Sequence, residues 1–268
     1  MKIEDLFCIE NKVALITGGS KGIGEMIASA FLANGAKVYI TSRHADQCEA
    51  TAQRLSERYG TDCIALPGDI SKMEDIDALV AAVSEREEKL HILVNNAGAS
   101  KAASFDDFPE EGWDMVMDIN AKSPFFLIQK LLPLMRNAAT HEDPARVITI
   151  ASVGGLKTPK FNNFSYGPAK AAAIHMTRVL GAHLVKENII CNAIAPGPFP
   201  TDMLARGISG VGDRKSVDWG KFKDINPRAR TGSAEDIGGL AIYLCSRAGA
   251  FTVGATITCD GGALAISS

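Results

Sequence analysis

Along this chain, short runs rich in β-branched residues alternate with longer stretches whose apolar positions recur every three to four residues. The runs at 13–17, 37–42, 63–66, 91–94, 146–151, 189–195 and 255–259 are largely apolar on both alternating sets of positions, so they are expected as strands covered on both faces. Between them, 23–34, 45–59, 73–89, 112–137, 166–186 and 234–245 read as helices, the first halted by Gly35. This alternation predicts an α/β fold: a doubly wound parallel sheet with helices on both faces, in one domain. Pro124 and Pro133 fall inside the 112–137 stretch and are expected to interrupt it, freeing backbone groups nearby. The segment 196–231 breaks the rhythm. Its apolar residues (Phe199, Met203, Leu204, Ile208, Val211, Trp219, Phe222) lie without a period among prolines, glycines and charges. So long an irregular stretch reads as a lid over a site, with a plain surface insertion as the alternative.

Charge narrows the partners. The 268 residues carry 28 basic and 31 acidic side chains, for a net charge of −3, and lack the basic excess expected of a chain that binds nucleic acid or an anionic membrane. No apolar run reaches the roughly 18 residues a spanning helix needs, and the acidic opening MKIEDLFCIENK is unlike an export leader. A cytoplasmic protein is expected. The six cysteines, at 8, 48, 63, 191, 245 and 259, form no CxxC pair and no metal-ligand spacing with histidine. Reduced thiols and no metal are therefore the expectation.

The first chemistry-bearing pattern is Thr17-Gly18-Gly19-Ser20-Lys21-Gly22-Ile23-Gly24, placed after the first strand and at the opening of the first helix. Glycines there permit a tight turn and let backbone N–H groups and the positive helix end face a pyrophosphate. In a dinucleotide fold an acidic residue at the end of the second strand holds the adenosine ribose, but here that strand ends in Thr41-Ser42-Arg43. A carboxylate would repel a 2′-phosphate, whereas Arg43 could pair with it through two hydrogen bonds and Ser42 could add a third. NADP(H) is favoured over NAD(H), with Lys21 as a second nearby cation. A solvated helix-start role is the alternative for Arg43.

The spacing TGxxxGxG is where the chain begins to resemble the short-chain dehydrogenase/reductase family. The likeness continues in order through Gly68-Asp69-Ile70, Asn95-Asn96-Ala97-Gly98, Asn120, Ser152, Tyr166-Gly167-Pro168-Ala169-Lys170, Pro196 to Thr201 and Asp260-Gly261-Gly262, covering about 11–262. The resemblance implies that Asp69 and Ile70 contact the adenine and that Asn96, Ala97 and Gly98 line the ribose. It also implies that Lys170 bonds the nicotinamide ribose, that Asn120 holds a water linking Lys170 to solvent, and that Pro196, Gly197, Phe199 and Thr201 grip the carboxamide. Prolines at 198 and 200 depart from the family's commonest PGxxxT form.

The implied catalytic set is Asn120, Ser152, Tyr166 and Lys170, and its chemistry is coherent. Hydride arriving at a carbonyl carbon builds alkoxide character on oxygen, which needs donors and a proton. Ser152 and Tyr166 can donate, and Tyr166 can deliver its proton. A phenol titrates near pH 10, so Lys170, one helical turn along the same face, is expected to pull it down.

Within the family the chain is most similar to 3-ketoacyl reductases, including those linked to bacterial hydroxyalkanoyl lipid synthesis. Polyol or gluconate dehydrogenases come next, and a noncatalytic dinucleotide sensor is a distant third. The expected partner is a small carbonyl or alcohol substrate, including an acyl thioester. The 200–230 stretch, basic at 206, 214, 215, 221, 223, 228 and 230 against acidic 202, 213, 218 and 224, would tolerate a phosphopantetheine or acyl-carrier group. The loop between Ser152 and Tyr166 carries Phe161 and Phe164, read as part of a substrate wall. A homodimer or homotetramer is implied by the resemblance.

Overall fold

Seven strands form one parallel sheet: β1 (Val13–Thr17), β2 (Lys37–Thr41), β3 (Cys63–Ala65), β4 (Ile92–Asn95), β5 (Ala145–Ile150), β6 (Ile189–Pro196) and β7 (Thr256–Cys259). Their order across the sheet is β3-β2-β1-β4-β5-β6-β7. The computed structural model describes residues 2–158, 162–209, 213–220 and 226–266. The helices in chain order are α1 (Ile3–Leu6), α2 (Gly22–Ala33), α3 (Ala45–Tyr59), α4 (Met73–Ser84), α5 (Glu110–Met117), α6 (Ser123–Ala138), α7 (Tyr166–Leu184), α8 (Asp202–Ser209) and α9 (Ala234–Cys245).

The predicted α/β architecture is the one observed, in a single domain. Successive strand residues point to opposite faces, so Ala14 and Ile16 join a core with α2, α3 and α9, while Val13 and Leu15 join another with α4, α6 and α7. That double covering is why the central strands read as unbroken apolar runs; at the sheet edges β3 and β7 are partly open. The chain winds outward one way from β1 and the other way from β4. A crevice therefore opens at the carboxyl ends of these two strands, where doubly wound sheets bind ligands.

Three expectations change. The single 112–137 helix is two helices joined by a π-helical turn, Asp118–Lys122; the break precedes Pro124, which sits in the first turn of α6, while Pro133 lies inside α6 without ending it. The 196–231 segment is not without regular structure: α8 and a 3-10 turn at Arg214–Ser216 lie in it. Thr201 Oγ1 accepts from Leu204 N at 3.2 Å and starts α8, a local signal the scattered apolar spacing hid. Third, α1 is a single exposed turn that no periodicity announced. Val211, Phe222 and the charges at 221, 223 and 224 lie outside the described residues, as does Phe161.

Candidate active site

The glycine turn leaves β1 and enters α2. Gly18 and Gly22 hold φ of +63° and +59°, and a Cβ at Gly24 would lie 2.3 Å from Gly18 O, so a side chain at these positions would strain or block the turn. Lys21 is the N-cap of α2 but makes no side-chain cap bond, which leaves the first amides of the helix uncapped by side chains. Its Nζ lies 3.9 Å from Asp202 Oδ2, so it faces the start of α8. Ser20 is buried and its carbonyl accepts from Thr51 Oγ1 at 3.1 Å, while Ile23 packs against the core.

The turn is braced from β4. Asn96 Nδ2 donates to Thr17 O (2.8 Å) and Gly18 O (3.1 Å), and the backbone N–H groups of Asn96 and Ala97 both donate to Thr17 Oγ1 at 3.0 Å. Thr17 opens the TGxxxGxG pattern, which assigns it no role; its hydroxyl ties together the two segments that meet at the crevice.

At the end of β2, Arg43 is exposed and makes no ion pair with any described residue. Ser42 Oγ is buried without a hydrogen-bond partner, only the weak thiol of Cys48 being beside it. An unpaired cation next to an unsatisfied hydroxyl fits a phosphate ligand. Beyond β3, Asp69 Oδ1 accepts from Ser71 N (3.1 Å) and Ser71 Oγ (2.8 Å), and Ile70 belongs to the core beneath.

The π-helical turn sets Asn120. Ser123 N and Ser123 Oγ (2.9 Å) both donate to Asp118 O, and the Val116 carbonyl is bonded by the Asn120 side chain at 2.8 Å. The same Nδ2 reaches Ala99 O at 2.8 Å, while Oδ1 is buried without a partner. A Cβ on Gly98 would lie 2.7 Å from that Oδ1 and 3.5 Å from Lys170 Nζ. The two polar atoms converge on one point that only glycine keeps open.

Ser152 follows β5 and caps a 3-10 turn, its Oγ accepting from Gly154 N at 3.0 Å. Tyr166 and Lys170 lie one turn apart at the start of α7, with Lys170 Nζ 5.7 Å from the Tyr166 ring centroid and donating to Ile150 O at 2.7 Å. Burial lowers the Lys170 pKa to about 8. Burial also raises the Tyr166 phenol above its ordinary value, and a hydrogen bond with Ser152 pulls the other way. This corrects the expectation that the lysine brings the phenol down: in the protein alone desolvation is the larger effect, and Tyr166 is protonated at neutral pH.

Pro196 ends β6, and Gly197 N donates to Cys259 O at 3.0 Å. The Phe199 side chain is buried in the core and its carbonyl accepts from Thr201 N at 2.8 Å; Thr201 Cγ2 would lie 3.2 Å from a Cβ on Gly22 and so sits over the glycine turn. All six thiols are free. Among the described residues no group of side chains could hold a metal ion, and no helix is long and apolar enough to cross a membrane.

A family model described as enoyl-(acyl carrier protein) reductase matches residues 18–263. The chain belongs to the short-chain dehydrogenase/reductase family. As a member it is an oxidoreductase, and its relatives run nearly end to end. The rhamnolipids biosynthesis 3-oxoacyl-[acyl-carrier-protein] reductase of Pseudomonas aeruginosa is 44% identical over 256 residues, 96% of this chain and 97% of that one. The 5-keto-D-gluconate 5-reductase of Escherichia coli is 30% identical over 262 residues, 98% of this chain and 99% of that one. The solved Pseudomonas aeruginosa RhlG/NADP active-site complex is similar at TM-score 0.89 and 43% identity, covering 97% of this chain and 98% of that one. This short-chain dehydrogenase/reductase thus places Asn120, Ser152, Tyr166 and Lys170 around the end of its central crevice, the glycine turn and Arg43 farther along it.

Proposed function

We propose that this protein reduces a ketone, a 3-ketoacyl thioester above all, to a secondary alcohol with NADPH. The observation that carries the reading is the buried Tyr166 phenol beside Ser152, with the Lys170 amine 5.7 Å from its ring one helical turn along.

The chain's residues divide the work. Arg43 and Ser42 would hold the 2′-phosphate, and the amides of the 18–24 turn the pyrophosphate. Asp69 and Ile70 would bound the adenine; Asn96, Ala97, Gly98 and Lys170 would line the ribose, and the Pro196, Gly197, Phe199 and Thr201 segment would hold the carboxamide. NADPH supplies the hydride when bound. Ser152 Oγ and Tyr166 Oη donate to the carbonyl oxygen, so charge developing there meets two fixed dipoles, and Tyr166 passes its proton to that oxygen. The phenolate left behind faces the Lys170 ammonium. The free Oδ1 of Asn120 can hold a water against Lys170, by which the proton is replaced from solvent. The 196–231 segment, tied to the glycine turn through Thr201 and Asp202, acts as the lid. Free thiols suit the cytoplasm. Exposed Trp113, Met115, Phe125 and Val179 on α5, α6 and α7 suit a homodimer or homotetramer.

The test is substrate-dependent NADPH oxidation with an acetoacetyl thioester beside a keto-sugar acid. Robust thioester reduction that prefers NADPH to NADH is expected. Robust turnover of the sugar acid alone would transfer the assignment to the ketose class that the Escherichia coli relative represents, and binding of NADPH with no carbonyl reduced would make the chain a sensor.

A further inference from the structure

Beside the site, two loops stand together at the crevice mouth. Ala103 N donates to Asn162 O at 3.1 Å and Asn163 Nδ2 reaches Ser100 Oγ at 3.5 Å, so the loop after β4 and the loop before α7 are joined by main chain and side chain. Both loops are also fixed to the reacting groups. Ala99 O is held by Asn120, and Tyr166 N donates to Asn163 O at 3.0 Å.

On this double loop stand three phenylalanines. The Phe164 ring is edge-on to Phe105 with centroids 5.4 Å apart and to Phe108 at 5.8 Å. Phe105 is 77% exposed and Phe164 37%. Single exposed apolar side chains are ordinary, but a stacked group that keeps its outer rings in water is a surface waiting for an apolar occupant. Position selects that occupant. Phe164 is two residues before Tyr166, so their Cα atoms lie within about 7.6 Å of each other, two trans peptide steps. These rings thus stand within reach of one arm of a carbonyl that Tyr166 and Ser152 would hold.

We infer that Phe105, Phe108 and Phe164 form a subsite for the apolar arm of the ketone, so that the enzyme selects 3-oxoacyl substrates with a medium-length straight alkyl chain over acetoacetyl groups and over sugars. This rests on the ketone-reductase reading above. The rings recognise methylene groups by contact alone: they offer no hydrogen bond to a polyol, whose hydroxyls would lose water without replacement.

The experiment is a ladder of kcat/KM for N-acetylcysteamine thioesters of acetoacetate, 3-oxohexanoate, 3-oxooctanoate and 3-oxodecanoate, with NADPH saturating. Full burial of a methylene is worth about a fourfold gain and a wall open on one side about half of that, so the longest substrate should exceed the shortest by roughly 10- to 100-fold. In Phe105→Asn/Phe164→Asn that ratio should fall to within about threefold, while Phe164→Leu keeps most of it. A flat wild-type ladder, or a slope unchanged in the double variant, overturns the subsite. So does a double variant whose sedimentation shows a smaller assembly with the ladder intact, which would make the rings an interface between copies. The same ladder is read in binding, by calorimetry of the corresponding 3-hydroxyacyl thioesters with NADP present. A chain that reduces none of the ketones loses the activity proposed above, and the binding slope still decides the wall.

Discussion

The two ends of the sheet treat buried polar groups in opposite ways. At the amino end, Lys12 Nζ meets Asp143 Oδ1 at 2.7 Å and Cys245 O at 3.3 Å. Arg146, 1% exposed, donates to Pro144 O and to Ser246 O and lies 3.6 Å from the same Asp143. His91 Nδ1 accepts from Val13 N, and burial, then nearby Lys12, hold it below its ordinary pKa and neutral. At the carboxyl end, Ser42 Oγ and Asn120 Oδ1 are buried without partners, Lys170 is buried without a carboxylate, and burial raises the Tyr166 pKa against the pull of Ser152. One end spends its polar groups on itself, Arg146 Nε excepted. The other leaves them unspent, as a binding site must, since a group already satisfied has nothing to offer a ligand.

Variants should separate the ends. The largest effect is expected from Tyr166→Phe, which keeps the ring and removes the proton. Turnover should drop about 10²- to 10⁴-fold with the Kd for NADPH and the melting temperature close to wild type; wild-type turnover would remove Tyr166 from the mechanism. Next, Arg43→Asp should move the NADPH to NADH preference by about 10- to 100-fold, read as a ratio of kcat/KM values, because it replaces a phosphate partner with a repelling charge. An unchanged ratio would show that Arg43 is only a solvated helix-start residue.

At the amino end, Asp143→Ala strips the counter-charge from Lys12 and Arg146. A loss of about 1–2 kcal/mol is expected, moderated by the part-exposure of Asp143, with turnover per folded molecule unchanged. Denaturant unfolding with parallel assays checks it, and lost activity in a stable protein would erase the contrast. The gentlest perturbation is of pH, since it changes no residue. Lys170 titrates at about 8 and is charged at neutral pH, so its charge is lost as pH climbs through that value. Ketone reduction, measured as kcat/KM, should decline about tenfold per unit above it; a rate level to pH 10 would show that the ammonium is not required.

Much of this was legible in the chain. The strands 13–17, 37–42 and 189–195 stand within a residue of their observed bounds because burial on both faces keeps most of their positions apolar. The glycine turn was readable because its spacing is dictated by backbone contact. What periodicity could not show was held by single side chains: the start of α8 by Thr201, the fastening of the glycine turn by Thr17, and the π-helical turn by Asn120 and Ser123. The direction of the Tyr166 shift was misjudged for another reason. Sequence reveals that a lysine stands nearby, but desolvation depends on everything packed around the pair.

The widened turn at Asp118–Lys122 amounts to one surplus residue in an otherwise continuous rod. Each helical residue advances about 100° around the axis, so the surplus lets Asn120 look toward the crevice while the apolar stripe of α6 still meets the sheet. Deleting a single amino acid from that turn would leave composition and helix content nearly untouched. It would also force a choice between a packed core and an aimed amide, so the fold tolerates such shortening less readily than its smooth outline suggests.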